Sequence, residues 1–301
     1  MSSDQVNTSA GRPLSAGAVA LMLMLCLSWG FNQIAVKLVL PDVPPMLQAL
    51  ARSIGALPVL LIIGWFRGVK FFERDGTLWP GVIAGVIFGI EFVLIYRGLL
   101  FTTASRASLF IYLAPFFVVL GSRIFLPADR FRPMQWAGLA LAFAGMMAAF
   151  GVPAPPSSPY QLLGDLMMAA AALCWAATTL FIKVSALSRI SAEKTLLYQL
   201  AVSIPILAGG AVVFGERIVA MPSALATGAL AYQIVVVGLT YSAWFALIVK
   251  FSASRLSAFT FLTPLFGVAA GHFVLGEPLT PAFALAVALV AVGLILVNRP
   301  R

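Results

Sequence analysis

The chain has 301 residues, of which 61% are hydrophobic and 10% charged, with a mean hydropathy of +1.03. A soluble domain carries about 25% charged residues, so a soluble enzyme is excluded and a protein crossing a bilayer many times is implied. Two cysteines, Cys26 and Cys174, and a single histidine, His272, exclude a disulfide scaffold, a four-thiolate metal site and an imidazole cluster for zinc or haem.

A helix crossing a ~30 Å hydrocarbon core needs about 20 apolar residues. Ten runs meet that demand: 16–40, 45–66, 78–100, 103–125, 133–151, 160–184, 195–214, 223–249, 254–275 and 280–297. All are read as helices, because a backbone in lipid is satisfied only in helices and closed barrels. The runs are too long and too weakly alternating for barrel strands. The first run is too long for a cleaved signal, lacks an A-x-A-like exit and recurs in the second half.

The formal charge of +9 is spread over short loops. Nucleic-acid binding would need one basic patch interleaved with aromatics, so no nucleic-acid partner is expected. The basic residues read instead as a topology signal. A cytoplasmic N-terminus puts 14 Lys and Arg inside, Arg12 and Arg301 among them, and four outside: Lys37, Arg97, Arg106 and Arg217. Arg52 is left within a helix. Both termini are therefore expected in the cytoplasm.

The charge-free stretch at 151–159, GVPAPPSSP, reads as a semi-rigid spacer between two halves. The halves repeat. Trp29 and Lys37 match Trp175 and Lys183 at a shift of 146, Pro58 matches Pro205 at 147, and Gly145 matches Gly293 at 148. ASRASLFIYLAP at 104–115 matches ASRLSAFTFLTP at 253–264. Five helices per copy is an odd number, so the second copy enters from the opposite side. The expected fold is an all-α membrane protein of ten helices, built as two five-helix inverted-topology repeats (1–152 and 153–301) around a central cavity.

Ser28-Trp29-Gly30-Phe31-Asn32 followed by Lys37, Arg52 in the second helix, the Ala-Ser…Pro runs, and Leu275-Gly276-Glu277-Pro278-Leu279 resemble the EamA branch of the drug/metabolite transporter superfamily. The resemblance covers nearly the whole chain, twice. The first copy departs from it, with Leu126-Pro127-Ala128-Asp129 where a Leu-Gly-Glu is expected. Among members, the chain looks most like the bacterial YddG-type exporters of aromatic amino acids. The resemblance implies a secondary transporter working by alternating access.

Trp29, Asn32 and Gln33 share a helix face, as do their repeat mates Trp175, Thr178 and Thr179. Polar groups facing lipid are costly, so both faces turn inward. They form opposite walls of a cavity or, on the plainer reading, an interhelical hydrogen-bonding seam. Tyr96 matches Trp244, with Tyr241 one turn earlier. These aromatics suit a zwitterion with a flat side chain, and equally suit ordinary packing. Arg52 pairs by repeat with Gln199, beside Tyr198. It either clamps a substrate carboxylate or locks a helix through backbone carbonyls or Glu91. Glu91, the one acid near a helix centre, is a proton carrier or a static partner of Arg52, Lys37 or Arg97. His272 reads as a helix–helix hydrogen bond. Pro58, Pro115, Pro205 and Pro264 sit inside helices as hinges or fixed kinks. Gly81, Gly85 and Gly89 form a small-residue packing ridge.

The leading function is a secondary exporter of small metabolites, amino acids and aromatic ones first. No Walker A run is present, so no ATP hydrolysis is expected. A multidrug or organic-cation exporter and a sugar-nucleotide or phosphate-ester carrier are the alternatives. A membrane-embedded enzyme lacks material: one histidine and one central acid build no catalytic set. No cofactor or metal is expected, and a monomer in the lipid bilayer suffices.

Overall fold

The computed structural model describes residues 14–276 and 278–299. Arg12, Glu277 and Arg301, used in the sequence reading, lie outside them. The described residues contain no strand and form ten apolar spans long enough to cross a membrane. Their bounds lie within a few residues of the ten expected runs.

The helices are α1 (Ala16–Val39), α2 (Pro45–Phe66), α3 (Leu78–Gly98), α4 (Ala104–Ile111), α5 (Ala114–Phe125), α6 (Pro133–Phe150), α7 (Pro159–Val184), α8 (Ala192–Val213), α9 (Ala224–Lys250), α10 (Ala253–Phe259), α11 (Leu262–Leu275) and α12 (Pro281–Asn298). Their starts are written in the sequence. Ser15, Thr103, Ser158, Ser191, Ser223 and Ser252 accept from backbone N–H groups of the first turn. Pro45, Pro133, Pro159 and Pro281 occupy first helical positions, where the missing N–H costs nothing.

The fourth and ninth spans correct the expectation of continuous, kinked helices. Each is two helices, α4 with α5 and α10 with α11. Pro115 and Pro264 lie in the first turn of the second member, not inside one helix. A proline ring clashes with the carbonyl four residues earlier. For Pro115 that residue is Ile111, the last of α4; for Pro264 it is Thr260, just past α10. Both helices end there and a new one begins. Pro58 and Pro205 remain inside the unbroken α2 and α8, as expected.

Because the spans alternate in direction, the bundle has two ends. The terminal face carries the start of α1 and the end of α12, and the linker face carries residues 151–158. The most extensive packing joins the two halves: α6 with α12, α3 with α7 and α8, α1 with α9 and α11, and α2 with α8 and α9. Small residues permit the closest approach. A Cβ at Gly138 would lie 2.7 Å from the Gly293 carbonyl, and one at Gly293 would lie 2.6 Å from the Gly138 carbonyl. The backbones of α6 and α12 thus touch. Gly81, Gly85 and Gly89 form the expected ridge, against Tyr198, Val202 and Ile206 of α8.

Polar staples tie the halves at each end. At the linker face Arg106 and Asp165 form a buried salt bridge, with Arg106 Nε 3.1 Å from both carboxylate oxygens and Thr102 donating to the same carboxylate at 2.6 Å. The Glu216 carboxylate accepts from the first amides of α2, Met46 at 2.8 Å and Leu47 at 3.1 Å. At the terminal face Arg67 pairs with Glu193 at 2.6 Å and Lys194 with Asp75 at 2.7 Å. Lys194 and Thr77 hold the Asp75 carboxyl down at about 2. Asp129, in the loop that departs from the repeat, accepts from Ser252 Oγ and from the Ser254 amide. Burial pushes its carboxyl above the usual range, against those hydrogen bonds and the nearby Lys183. The Lys183 ammonium closes the end of α9 by donating to the carbonyls of Ile248 and Phe251.

Candidate functional site

Trp29 stands midway along α1, and its ring is fixed by a hydrogen bond. Its indole Nε1 donates to Thr240 Oγ1 of α9 at 2.9 Å, while the Thr240 hydroxyl donates to the Val236 carbonyl at 2.5 Å. Trp29 meets Trp244 at 5.9 Å between ring centroids, with planes 74° apart, and Tyr241 at 6.0 Å. Trp244 meets Trp175 of α7 at 6.4 Å and 65°. Tilted and edge-on contacts of this kind are the favoured aromatic geometry. The two repeat-related tryptophans therefore converge on a third, which is 2% exposed, while both keep partial exposure.

The aromatic path continues. Tyr241 packs edge-on against Phe88 at 5.8 Å, Phe88 against Phe92 at 4.8 Å, and Phe92 lies 6.3 Å from Tyr96. Phe88, Phe92 and Tyr96 recur every four residues and so form one stripe of α3. The guanidinium carbon of Arg52 lies 4.2 Å from the Phe92 ring centroid and 6.0 Å from that of Tyr96. Arg52 is 3% exposed, and its Nε and Nη2 have no hydrogen-bond partner. Among the described residues it makes no salt bridge. Glu91, also buried, is within electrostatic reach but not paired with it.

Other polar atoms in the interior are likewise without partners: Asn32 Oδ1, both amide atoms of Gln199, and the hydroxyls of Thr178 and Thr179. A buried polar group without a hydrogen bond costs about 1–3 kcal/mol, and both amide atoms of Gln233 and the Gln48 Oε1 are in the same condition.

Not every sequence candidate joins this group. Tyr198 faces the glycine ridge of α3, and its hydroxyl meets Thr77 Oγ1 at 3.1 Å near the terminal face. It is the neighbour of Gln199 in sequence, but 100° around the helix from it. The Gln33 amide is pressed onto α11, its Oε1 2.5 Å from where a Cβ on Gly267 would stand. Sequence reasoning missed Thr240, Phe88 and Phe92. The period-four stripe leading to Tyr96 was the available signal for the last two.

The sequence matches the EamA-like transporter family twice, over residues 16–151 and 162–299. It is 27% identical over 289 residues to a probable amino-acid metabolite efflux pump of Salmonella typhimurium, covering 91% of this chain and 92% of that one. It is 34% identical over 138 residues to the aromatic amino acid exporter YddG of Ancylobacter novellus, covering 44% of this chain and 47% of that one. A solved crystal structure aligns with a TM-score of 0.79 at 25% identity, covering 94% of this chain and 96% of that one. With ten spanning helices, and with each half matched in its own right, the chain belongs to the EamA-like transporter family and is a multi-pass membrane transporter.

Proposed function

We propose that this transporter exports amino acids, aromatic ones first, across the inner membrane of a bacterium. The observation that carries the reading is the continuous aromatic path from the indoles of Trp175, Trp244 and Trp29 to the unpartnered guanidinium nitrogens of Arg52. A flat side chain stacks along the rings, and the carboxylate meets Arg52 as a two-pronged acceptor. Asn32, Gln199, Thr178 and Thr179 supply further polar contacts as the substrate passes. The names of the Salmonella and Ancylobacter relatives support the same substrate class. A phosphate-ester carrier would want a second cation converging on Arg52, and none belongs to this group. The protein acts without catalytic residues, cofactor or metal, and one copy suffices.

Purified protein in liposomes should take up radiolabelled tryptophan, phenylalanine and tyrosine ahead of small polar amino acids. Uptake of none of the amino acids would overturn the reading. Glu91 is the one carboxylate near a helix centre among the described residues; the other buried acids, Asp129, Asp165 and Glu193, stand at the two ends of the bundle, and one central acid makes a thin proton path. Uptake should therefore be independent of an imposed pH gradient, and Glu91→Gln should leave its pH profile unchanged. Accumulation driven by a pH step and lost in Glu91→Gln would assign Glu91 to proton coupling instead.

The charge count orients the terminal face to the cytoplasm. In intact cells an impermeant thiol reagent should modify Ser157→Cys, in the linker, and spare Ser188→Cys, between α7 and α8. The reverse pattern would invert the topology.

A further inference from the structure

At the terminal face, the connection from α2 to α3 and the connection from α7 to α8 enclose a cavity of about 600 Å³. Its wall carries Arg67, Lys70, Arg189 and Lys194 against Glu73 and Asp75. Most of these charges are already matched. Arg67 pairs with Glu193, Lys194 with Asp75, and Lys70 stands 3.8 Å from Glu73 in an exposed, loose pair. Arg189, exposed on the wall, has no carboxylate within salt-bridge distance among the described residues. The cavity therefore keeps a positive surplus, and Lys70 is the cation most easily drawn from its partner.

A second feature fixes the depth of this cavity. Trp65, Phe66, Phe72 and Trp79, at the ends of α2 and α3 and in the loop between them, are 74–88% exposed. In a spanning protein, a girdle of exposed aromatics at helix ends marks the level of the lipid headgroups. A pocket with surplus positive charge, whose lining residues Arg67, Lys70, Glu73 and Thr77 are interspersed along the chain with those exposed rings, matches one kind of guest: a phosphate with two hydrocarbon tails.

We propose that this cavity binds the headgroup of an anionic phospholipid, its phosphate held by Arg189, Lys70 and Arg67. The lipid then bridges the first half, through the α2–α3 connection, to the second, through the start of α8. The proposal depends on the membrane environment and not on which substrate is carried.

The test uses the full chain in neutral detergent, with phosphatidylglycerol, phosphatidylcholine and inorganic phosphate as separate probes. Lipid binding is read by native mass spectrometry and by the melting temperature. Phosphatidylglycerol should bind at least tenfold more tightly than phosphatidylcholine and raise the melting temperature. Lys70→Gln with Arg189→Gln should weaken it about 30-fold, each cation near a lipid surface being worth about fivefold. Arg123→Gln with Arg217→Gln, two exposed cations elsewhere, should leave it unchanged. Equal binding of the two lipids, or full affinity in the Lys70/Arg189 variant, would overturn the proposal. Protection by millimolar inorganic phosphate equal to that by the lipid would make this a site for soluble anions, which also overturns it. If the variant does not fold, a photoactivatable phosphatidylglycerol on the unmodified protein decides. Attachment within 65–79 or 186–194 supports the site, and attachment only elsewhere removes it.

Discussion

Replacing Arg52 with glutamine should raise the half-saturation concentration for free aromatic amino acids about 100-fold, while tryptamine, which lacks the carboxylate, should be moved as well as before. Hydrogen bonds to a charged group are worth about 1.5–3 kcal/mol net, which corresponds to roughly 10- to 150-fold in binding. Folded yield should hold, because the change removes a buried charge whose Nε and Nη2 have no partner. Arg52→Lys keeps the charge but not the planar fork and should recover little. Uptake assays in liposomes, run side by side with the two compounds, separate the roles. Equal losses for both would make Arg52 a structural lock over Phe92 and Tyr96, and no loss for either would remove it from the path.

The largest effect on stability is expected at Arg106 and Asp165. Their side chains are 11% and 2% exposed, so solvent screens the pair little. Asp165→Asn leaves the guanidinium buried with one neutral acceptor in place of a carboxylate, at a cost of about 3–5 kcal/mol. Total stabilities of 5–15 kcal/mol are typical, so the melting temperature in detergent and the yield of monodisperse protein should both fall sharply. The double change Arg106→Met with Asp165→Leu removes both charges together and should restore most of the loss. If the double variant is as unstable as the single one, the bonds to Thr102 and Ala154 matter more than the charge balance.

The ten spans were legible because length and hydropathy alone dictate them, and the inverted repeat because five spans per copy leave no other geometry. The breaks before Pro115 and Pro264 were not. A proline in a sequence signals a lost hydrogen bond, and whether the helix bends or stops depends on its neighbours. The indoles of Trp29 and Trp175 were found by their repeat spacing, but Thr240, which orients one of them, is an ordinary neutral residue in an apolar run. Arg106 was counted as a loop charge, since its partner is 59 residues away and helix packing alone brings them together. Tyr198 shows the opposite error, in which adjacency to Gln199 in the chain stood in for adjacency in space.

Each half buries its inner faces mainly against the other: α6 lies on α12, α1 on α9 and α11, and both ends of α2 are fastened to α8 or to the residues flanking it. The duplicated unit in the sequence is therefore not a folding unit. A single five-helix chain could cover its glycine ridges and its polar interior only with a copy of itself inserted upside down. Asp129 now stands in one loop where the other copy has the Leu-Gly-Glu form, a difference that an antiparallel pair of identical chains could not have carried.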